Sequence, residues 1–368
     1  MKRFARAIAT AAVTLSLVAL TACSNAADGT DVTKGDPATA RIGLLLPDSV
    51  TARYEAADRP FFEHKIDKLC PDCTVLYANA DADAAKQQQQ AESMLTQGVS
   101  VLVLAPTDSR AAASIVAQAA ARKVSVISYD RLIDSDKVDY YVSFDNEKVG
   151  RLQAQALVDR LRQESVPDDA GILMVNGSPT DNNTSLFKKG AHSVFDTSGY
   201  RILAEYDTPS WDPAKAQDWV SGQITQYGDR IRGVYAANDA TAGGAVAALK
   251  AADVSPLPPV IGQDAELAGI QRILAGDQYM TVYKAIQPEA ERAAELAIAL
   301  TKGQHPPAAT EVKTSTGAAI PSFLLDPVPV TADRIEATVV ADDFYGPRTV
   351  ADICTPAYRA ACAEHGIR

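Results

Sequence analysis

The sequence predicts an α/β protein of two doubly wound lobes, and three observations lead there. From residue 41 onward, short Val- and Ile-rich runs alternate with longer segments of helical period. Alternation of that kind builds a parallel sheet with helices on both faces. Ten such runs exceed what one sheet comfortably holds, and the series pauses near residue 145 before restarting at Gly171. With 47% hydrophobic and 22% charged residues over 368, the chain has enough apolar matter for two cores.

The N-terminus comes before this pattern. "MKRFAR" is basic, "AIATAAVTLSLVALTA" is apolar, and "LTAC" ends at Cys23. That is a secretory signal (residues 1–22), and the Cys straight after Leu-Thr-Ala resembles a bacterial lipobox. The apolar stretch is short for a membrane span. Residues 24–40 are small and polar, as a flexible tether following the lipidated Cys23 should be. The expectation is an exported protein, lipid-anchored on the outer face of the cytoplasmic membrane. Losing Lys2, Arg3 and Arg6 with the signal moves the formal charge from −11 to −14. An acidic chain with no basic stripe argues against nucleic acid.

The strand-like runs follow in order: "RIGLLL" (41–46), "TVLYA" (74–78), "VSVLVLA" (99–105), "VSVISY" (124–129) and "YYVSF" (140–144) make the first series. "GILMV" (171–175), "YRILAEY" (200–206), "GVYAA" (233–237), "PVIG" (259–262) and "MTVY" (280–283) make the second. Helical stretches are expected at 109–122, 147–163, 186–196, 241–252 and 265–275. The first lobe is expected to comprise 41–145 with about 284–322, and the second 146–283 with about 323–345. The chain would pass back between lobes near 284 and near 322–330. Residues 346–368 read as an appended turn-and-helix tail.

Four cysteines remain after Cys23. An even number outside the cytoplasm suggests disulfides. The Pro-Asp turn of "CPDC" can bring Cys70 and Cys73 within bonding range. The spacing also fits a thioredoxin-like motif, but here it precedes a strand rather than opening a helix, so a local staple is expected. Cys354 and Cys362 would lie about 12 Å apart in one continuous helix, too far to bond. Pro356 permits the turn they need. A zinc site using all four is the remaining alternative.

Ligands of open parallel sheets bind beyond the carboxyl ends of the strands. Those ends carry Arg53 and Tyr54, Asp130 and Arg131, the patch "NGSPTDNN" (176–183), Asn238 and Asp239, Gln263 and Asp264, and Lys284. Asp and Asn at such junctions are also what helix N-caps require. Asp108 and Asp145 read as caps; Asp239 and Asp264 fit either role. Arg53, Arg131, Trp211 and Lys284 are no natural caps. Arg and Lys donate, carboxylates accept, and Asn amides do both, which together suit the paired donor–acceptor character of sugar hydroxyls. Trp211 or Tyr54 offers a flat wall for a pyranose ring. No phosphate loop, H-E-x-x-H or G-x-S-x-G occurs, so neither enzyme activity, metal nor cofactor is expected. Paired carboxylates keep an exported carbohydrate-active enzyme open as an alternative.

The strings "YDRLI", "YYVSFDNEKVG", "GSPTDNN", "NDATAGGA", "GQDAELAGI" and "MTVYK" resemble the type I periplasmic binding proteins that serve bacterial ABC sugar importers. They lie nearest the D-xylose-binding branch, with the multiple-sugar-binding proteins sharing much of the pattern over residues 41–345. The resemblance implies two Rossmann-like lobes joined by a three-strand hinge and closing on one monosaccharide, D-xylose or a similar aldose. Its implied sugar contacts are Arg53, Asp130 and Arg131 from the first lobe, and Asp181, Asn183, Trp211, Asn238 and Asp264 from the second. Lys284 falls at the hinge. Tyr54 stands where relatives usually carry Trp, which leaves the stacking wall and the exact sugar open. A monomer docking on an ABC permease is implied; a chemotaxis or sensor-kinase partner is the alternative. A LacI-type repressor shares the core but needs a helix-turn-helix where the signal stands.

Overall fold

The computed structural model describes residues 37–167 and 170–368, so Cys23 and most of the expected tether lie outside the described residues. The first lobe begins with strands β1 (Arg41–Leu46), β2 (Thr74–Asn79), β3 (Val101–Leu104), β4 (Ser125–Tyr129) and β5 (Tyr140–Phe144). Helices α1 (Arg59–Leu69), α2 (Ala84–Thr96) and α3 (Ala113–Ala121) connect the first four of them. The chain then builds a second lobe from α4 (Asn146–Gln163), β6 (Gly171–Asn176), α5 (Asn182–Ser198), β7 (Arg201–Asp207) and α6 (Pro213–Tyr227). It continues through β8 (Ile231–Ala236), α7 (Asp239–Ala251), β9 (Val260–Ile261), α8 (Leu267–Leu274) and β10 (Thr281–Tyr283).

After β10 the chain returns. Helix α9 (Ile286–Thr301) packs on α1, and β11 (Thr310–Lys313) and β12 (Ala319–Leu325) extend the first sheet. That sheet runs β11-β12-β5-β4-β3-β1-β2 and is parallel except for the β11–β12 hairpin. The second runs β7-β6-β8-β9, all parallel. Strand β13 (Val328–Val330) pairs antiparallel with β10. The stretch 322–330 is therefore split: residues to Leu325 finish β12 in the first sheet, and the passage back follows them. The chain crosses between the sheets three times, after Phe144, after Tyr283 and after Leu325.

The burial of each strand explains its sequence. Strands β3 and β5 are buried at every position, as central strands covered on both faces must be, whereas β2 at the edge is half-buried. Carboxylate caps set several of the helix starts. Asp145 accepts from Lys148 N at 2.8 Å, and Asp212 from Ala214 N at 2.9 Å just before Pro213. Asp108 accepts from Arg110 N and Ala111 N, but it caps a turn. Regular helix starts only at Ala113, so the segment expected at 109–122 is shorter. Gly150 of α4 and Gly190 of α5 face one another's helix. A Cβ at either would overlap the backbone opposite, which is why these two helices approach so closely.

Both expected disulfides are present, Cys70–Cys73 with Cα atoms 5.3 Å apart and Cys354–Cys362 at 5.9 Å. No group of side chains that could hold a metal occurs among the described residues, and no described helix is long and apolar enough to cross a membrane. The tail forms two short helices, α10 (Thr349–Ile353) and α11 (Arg359–Glu364). Ile353, Cys362 and Ile367 bury themselves with Ile270, Ile273 and Leu274 of α8. Gln271 Nε2 donates to Asp352 O at 3.0 Å.

Candidate functional site

The loops at the carboxyl ends of both sheets meet along one seam. Arg53 and Tyr54 follow β1, Asp130 and Arg131 follow β4, and Asp181 and Asn183 open α5 after β6. Trp211 follows β7, Asn238 follows β8, Asp264 follows β9 and Lys284 follows β10. All ten line a single cavity of about 20 Å³. Thr51, Phe187 and Gln263 line it too. Gln263 carried the same strand-end signal as Asp264, whereas Phe187 sits inside a helix and had none.

The cavity is electrically balanced. Arg53, Arg131 and Lys284 face Asp130, Asp181 and Asp264, three cations against three carboxylates. Their charges pair, and the Arg131–Asp181 pair crosses the seam. Arg131 Nε lies 2.9 Å from Asp181 Oδ2, Lys284 Nζ 2.8 Å from Asp264 Oδ1, and Arg53 Nη2 3.0 Å from Asp130 Oδ1. Asn183 Nδ2 donates to Asp130 O at 2.9 Å, and Ser109 N donates to Thr180 O at 3.0 Å, so backbone and side chain both join the lobes. Room remains for little more than one water. A ligand enters only by exchanging partners with these pairs.

Each carboxylate is held in place from its own lobe. Asp181 accepts from Asn183 N at 2.9 Å, which makes it the N-cap of α5, and from Trp211 Nε1 at 3.2 Å. It is a cap and a cavity group at once. Burial pushes its carboxyl up, against the opposing pull of Arg131 and the two N–H donors. Asp130 goes the other way. Burial would raise it, but Arg53, Lys284, Arg131 and the Tyr54 hydroxyl outweigh that and bring it down to about 2. Tyr54 donates to Asp130 Oδ2 at 2.6 Å, and burial pushes its phenol well up, so it stays a donor. Its ring lies 4.9 Å from the Arg53 guanidinium and 5.5 Å from that of Arg131.

Backbone strain aims several of these groups. Asp130, Trp211 and Asp264 all adopt positive φ, at 57°, 57° and 88°, a region costly for residues with a Cβ. Trp211 is buried and meets Phe187 edge-on at 6.4 Å. The indole occupies the space where a Gly177 side chain would be. The "NGSP" turn thus carries a glycine because the tryptophan lies against it.

Asp239 resolves differently from its neighbours. Asn238 is the cap of α7, accepting from Thr241 N at 2.9 Å, and Asp239 lines no part of the cavity. Fully buried, it accepts from Gln278 Nε2, Glu266 N and Thr281 Oγ1 at 2.6–2.9 Å. It ties the Asn238 and Asp264 loops to β10. Burial pushes it up to about 7 despite Arg272 and these donors. Asp264 caps nothing; the residue before α8 is Glu266, and that end has no side-chain cap.

Comparison with known proteins agrees with this fold. The family model for the periplasmic binding protein domain matches residues 42–305. The chain belongs to that family. Among curated relatives of this periplasmic binding protein, the D-xylose-binding periplasmic protein of Escherichia coli K12 is 38% identical over 83% of this chain and 91% of its own length. A multiple sugar-binding periplasmic receptor of Rhizobium radiobacter is 34% identical over 72% and 80%. Among solved structures, an ABC transporter solute-binding protein of Clostridium phytofermentans with bound β-D-glucose superposes with a TM-score of 0.77 at 28% identity. It covers 84% of this chain and 99% of that one. The fold is the type I periplasmic binding protein fold.

Proposed function

We propose that this periplasmic binding protein captures one neutral monosaccharide, D-xylose or a similar aldose, between its lobes and delivers it to an ABC permease. The observation carrying this reading is the balanced set of Arg53, Arg131 and Lys284 against Asp130, Asp181 and Asp264, with Asn183 and Asn238 in one inter-lobe cavity. A neutral polyol leaves that balance intact, and each hydroxyl donates to a carboxylate while accepting from a cation. Trp211 and Tyr54 supply the aromatic surface. The names of the relatives and the sugar held by the superposed structure support the class of ligand.

Both lobes contribute ligands, so sugar stabilises the joined arrangement and the three crossings act as the hinge. No reaction is required of the cleft, and the protein acts as a monomer anchored through a lipid on Cys23 at the outer face of the cytoplasmic membrane. A thermal-shift screen against pentoses and hexoses tests the reading, with chromatography of the released ligand. A rise in melting temperature with D-xylose, and recovery of the sugar unchanged, is expected. Absence of any shift across the panel, or hydrolysis of a glycoside, contradicts it.

A further inference from the structure

Six carboxylates crowd the three buried cations, but only three of them face the cavity. The other three stand behind the arginines: Asp48 lies 3.1 Å from Arg131 Nη2, Asp58 3.3 Å from Arg53 Nη2, and Glu289 3.8 Å from Arg53 Nη1. Glu289 belongs to the first turns of α9, immediately after the Lys284 crossing, and is 0% exposed. Neither of its carboxyl oxygens has a hydrogen-bond partner among the described residues. The groups facing it are Arg53, Asp58, Asp130 and Lys284, with Tyr129 and Tyr141 nearby.

Charge counting decides its state. Arg53 has four carboxylates within 4.0 Å, namely Asp58, Asp130, Asp264 and Glu289; Lys284 stands beside Asp264, and Arg131, 3.9 Å from Asp130, is shared with Asp48 and Asp181. Three of the four have separate support. Asp58 accepts from the Tyr129 hydroxyl at 2.6 Å, Asp130 from Tyr54, and Asp264 pairs with Lys284. Glu289 has none. An unpaired buried carboxylate is far costlier than a buried carboxylic acid.

We propose that Glu289 is a positioning residue for ligand capture, a neutral carboxylic acid that supports Arg53 from behind and leaves the guanidinium charge for the cavity. Burial, reinforced by Asp130 and Asp58, pushes the Glu289 carboxyl well up against the pull of Arg53, in keeping with that state. The inference rests on the cavity being a sugar site, but Arg53 can be observed without sugar.

The test compares the unaltered protein with E289Q and E289A. Calorimetry with D-xylose and D-glucose reads affinity, and NMR of the Arg53 Nε–H in sugar-free protein reads its order. Gln keeps the shape and neutrality, so E289Q is expected to bind within about threefold of the unaltered protein. E289A is expected to bind about tenfold more weakly or worse, with the Arg53 signal lost. Unaltered affinity and an unaltered Arg53 signal in E289A overturn the proposal. So does an E289Q that behaves like E289A, since it would mean the negative charge is what matters. Should no sugar bind the unaltered protein, the functional reading fails and the Arg53 signal still decides this one. Should E289A not fold, the signal in E289Q decides.

Discussion

Replacing Asp181 by asparagine removes one charge from the seam while preserving the size of the side chain. The Asp181 Oδ1 contact with Asn183 N, at 2.9 Å, survives because an amide oxygen accepts equally well, so the start of α5 is kept. The other position does not survive. Oδ2 faces Trp211 Nε1 at 3.2 Å and Arg131 Nε at 2.9 Å, both donors, and an amide nitrogen there is a third donor. Arg131 keeps Asp48 at 3.1 Å, so its charge is not left alone and the fold should tolerate the change. What goes is a charged acceptor for a sugar hydroxyl, a charge-assisted bond worth about 1.5–3 kcal/mol. That corresponds to roughly 10- to 150-fold in sugar affinity. Calorimetry with D-xylose, with a thermal melt as the folding control, measures it. Affinity within about twofold of the unaltered protein refutes the reasoning.

Three further predictions concern the frame around the cavity. Gly177→Ala drives a methyl into the Trp211 indole, so sugar affinity should fall by about tenfold or more; an unchanged affinity and tryptophan emission contradict this. Asp239 is raised in the folded protein from 3.8 to about 7. Its contribution to stability is therefore fully present below about pH 4 and is lost as pH rises through about 7, on the order of a few kcal/mol. Urea unfolding should show that decline in the unaltered protein and a flatter one in Asp239→Asn, while equal slopes count against it. Replacing Cys354 and Cys362 by serine removes an eight-residue link, worth about 2–3 kcal/mol in the chain-entropy view. Hydrogen exchange should then rise in 346–368 and α8 while the two sheets stay protected.

The two lobes were legible because parallel strands buried on both faces become continuous apolar runs, as in β3 and β5. Strand β12 was less so. Its burial alternates at the far side of the first sheet, and a period-two pattern broken by Pro321 looks like a connection. The cap residues Asp108 and Asp145 followed from local chemistry alone. Asp181 was expected only as a sugar contact, and its second role as the cap of α5 went unread; Asp239 could not be told from a ligand because its three donors come from residues 27 to 42 positions away. Glu289 had no local signal at all. It sits in an ordinary amphipathic helix, and only the fold brings that turn against Arg53.

The balanced cavity is the centre of the account, and calorimetry of the unaltered chain with matched neutral and charged sugars tests it most directly. D-xylose or D-glucose should bind one to one. D-xylonate and D-glucosamine each add a charge that three cations facing three carboxylates leave uncompensated, so they should bind at least about tenfold more weakly. A charged sugar binding more tightly than every neutral aldose, or no aldose binding at all, would contradict the account.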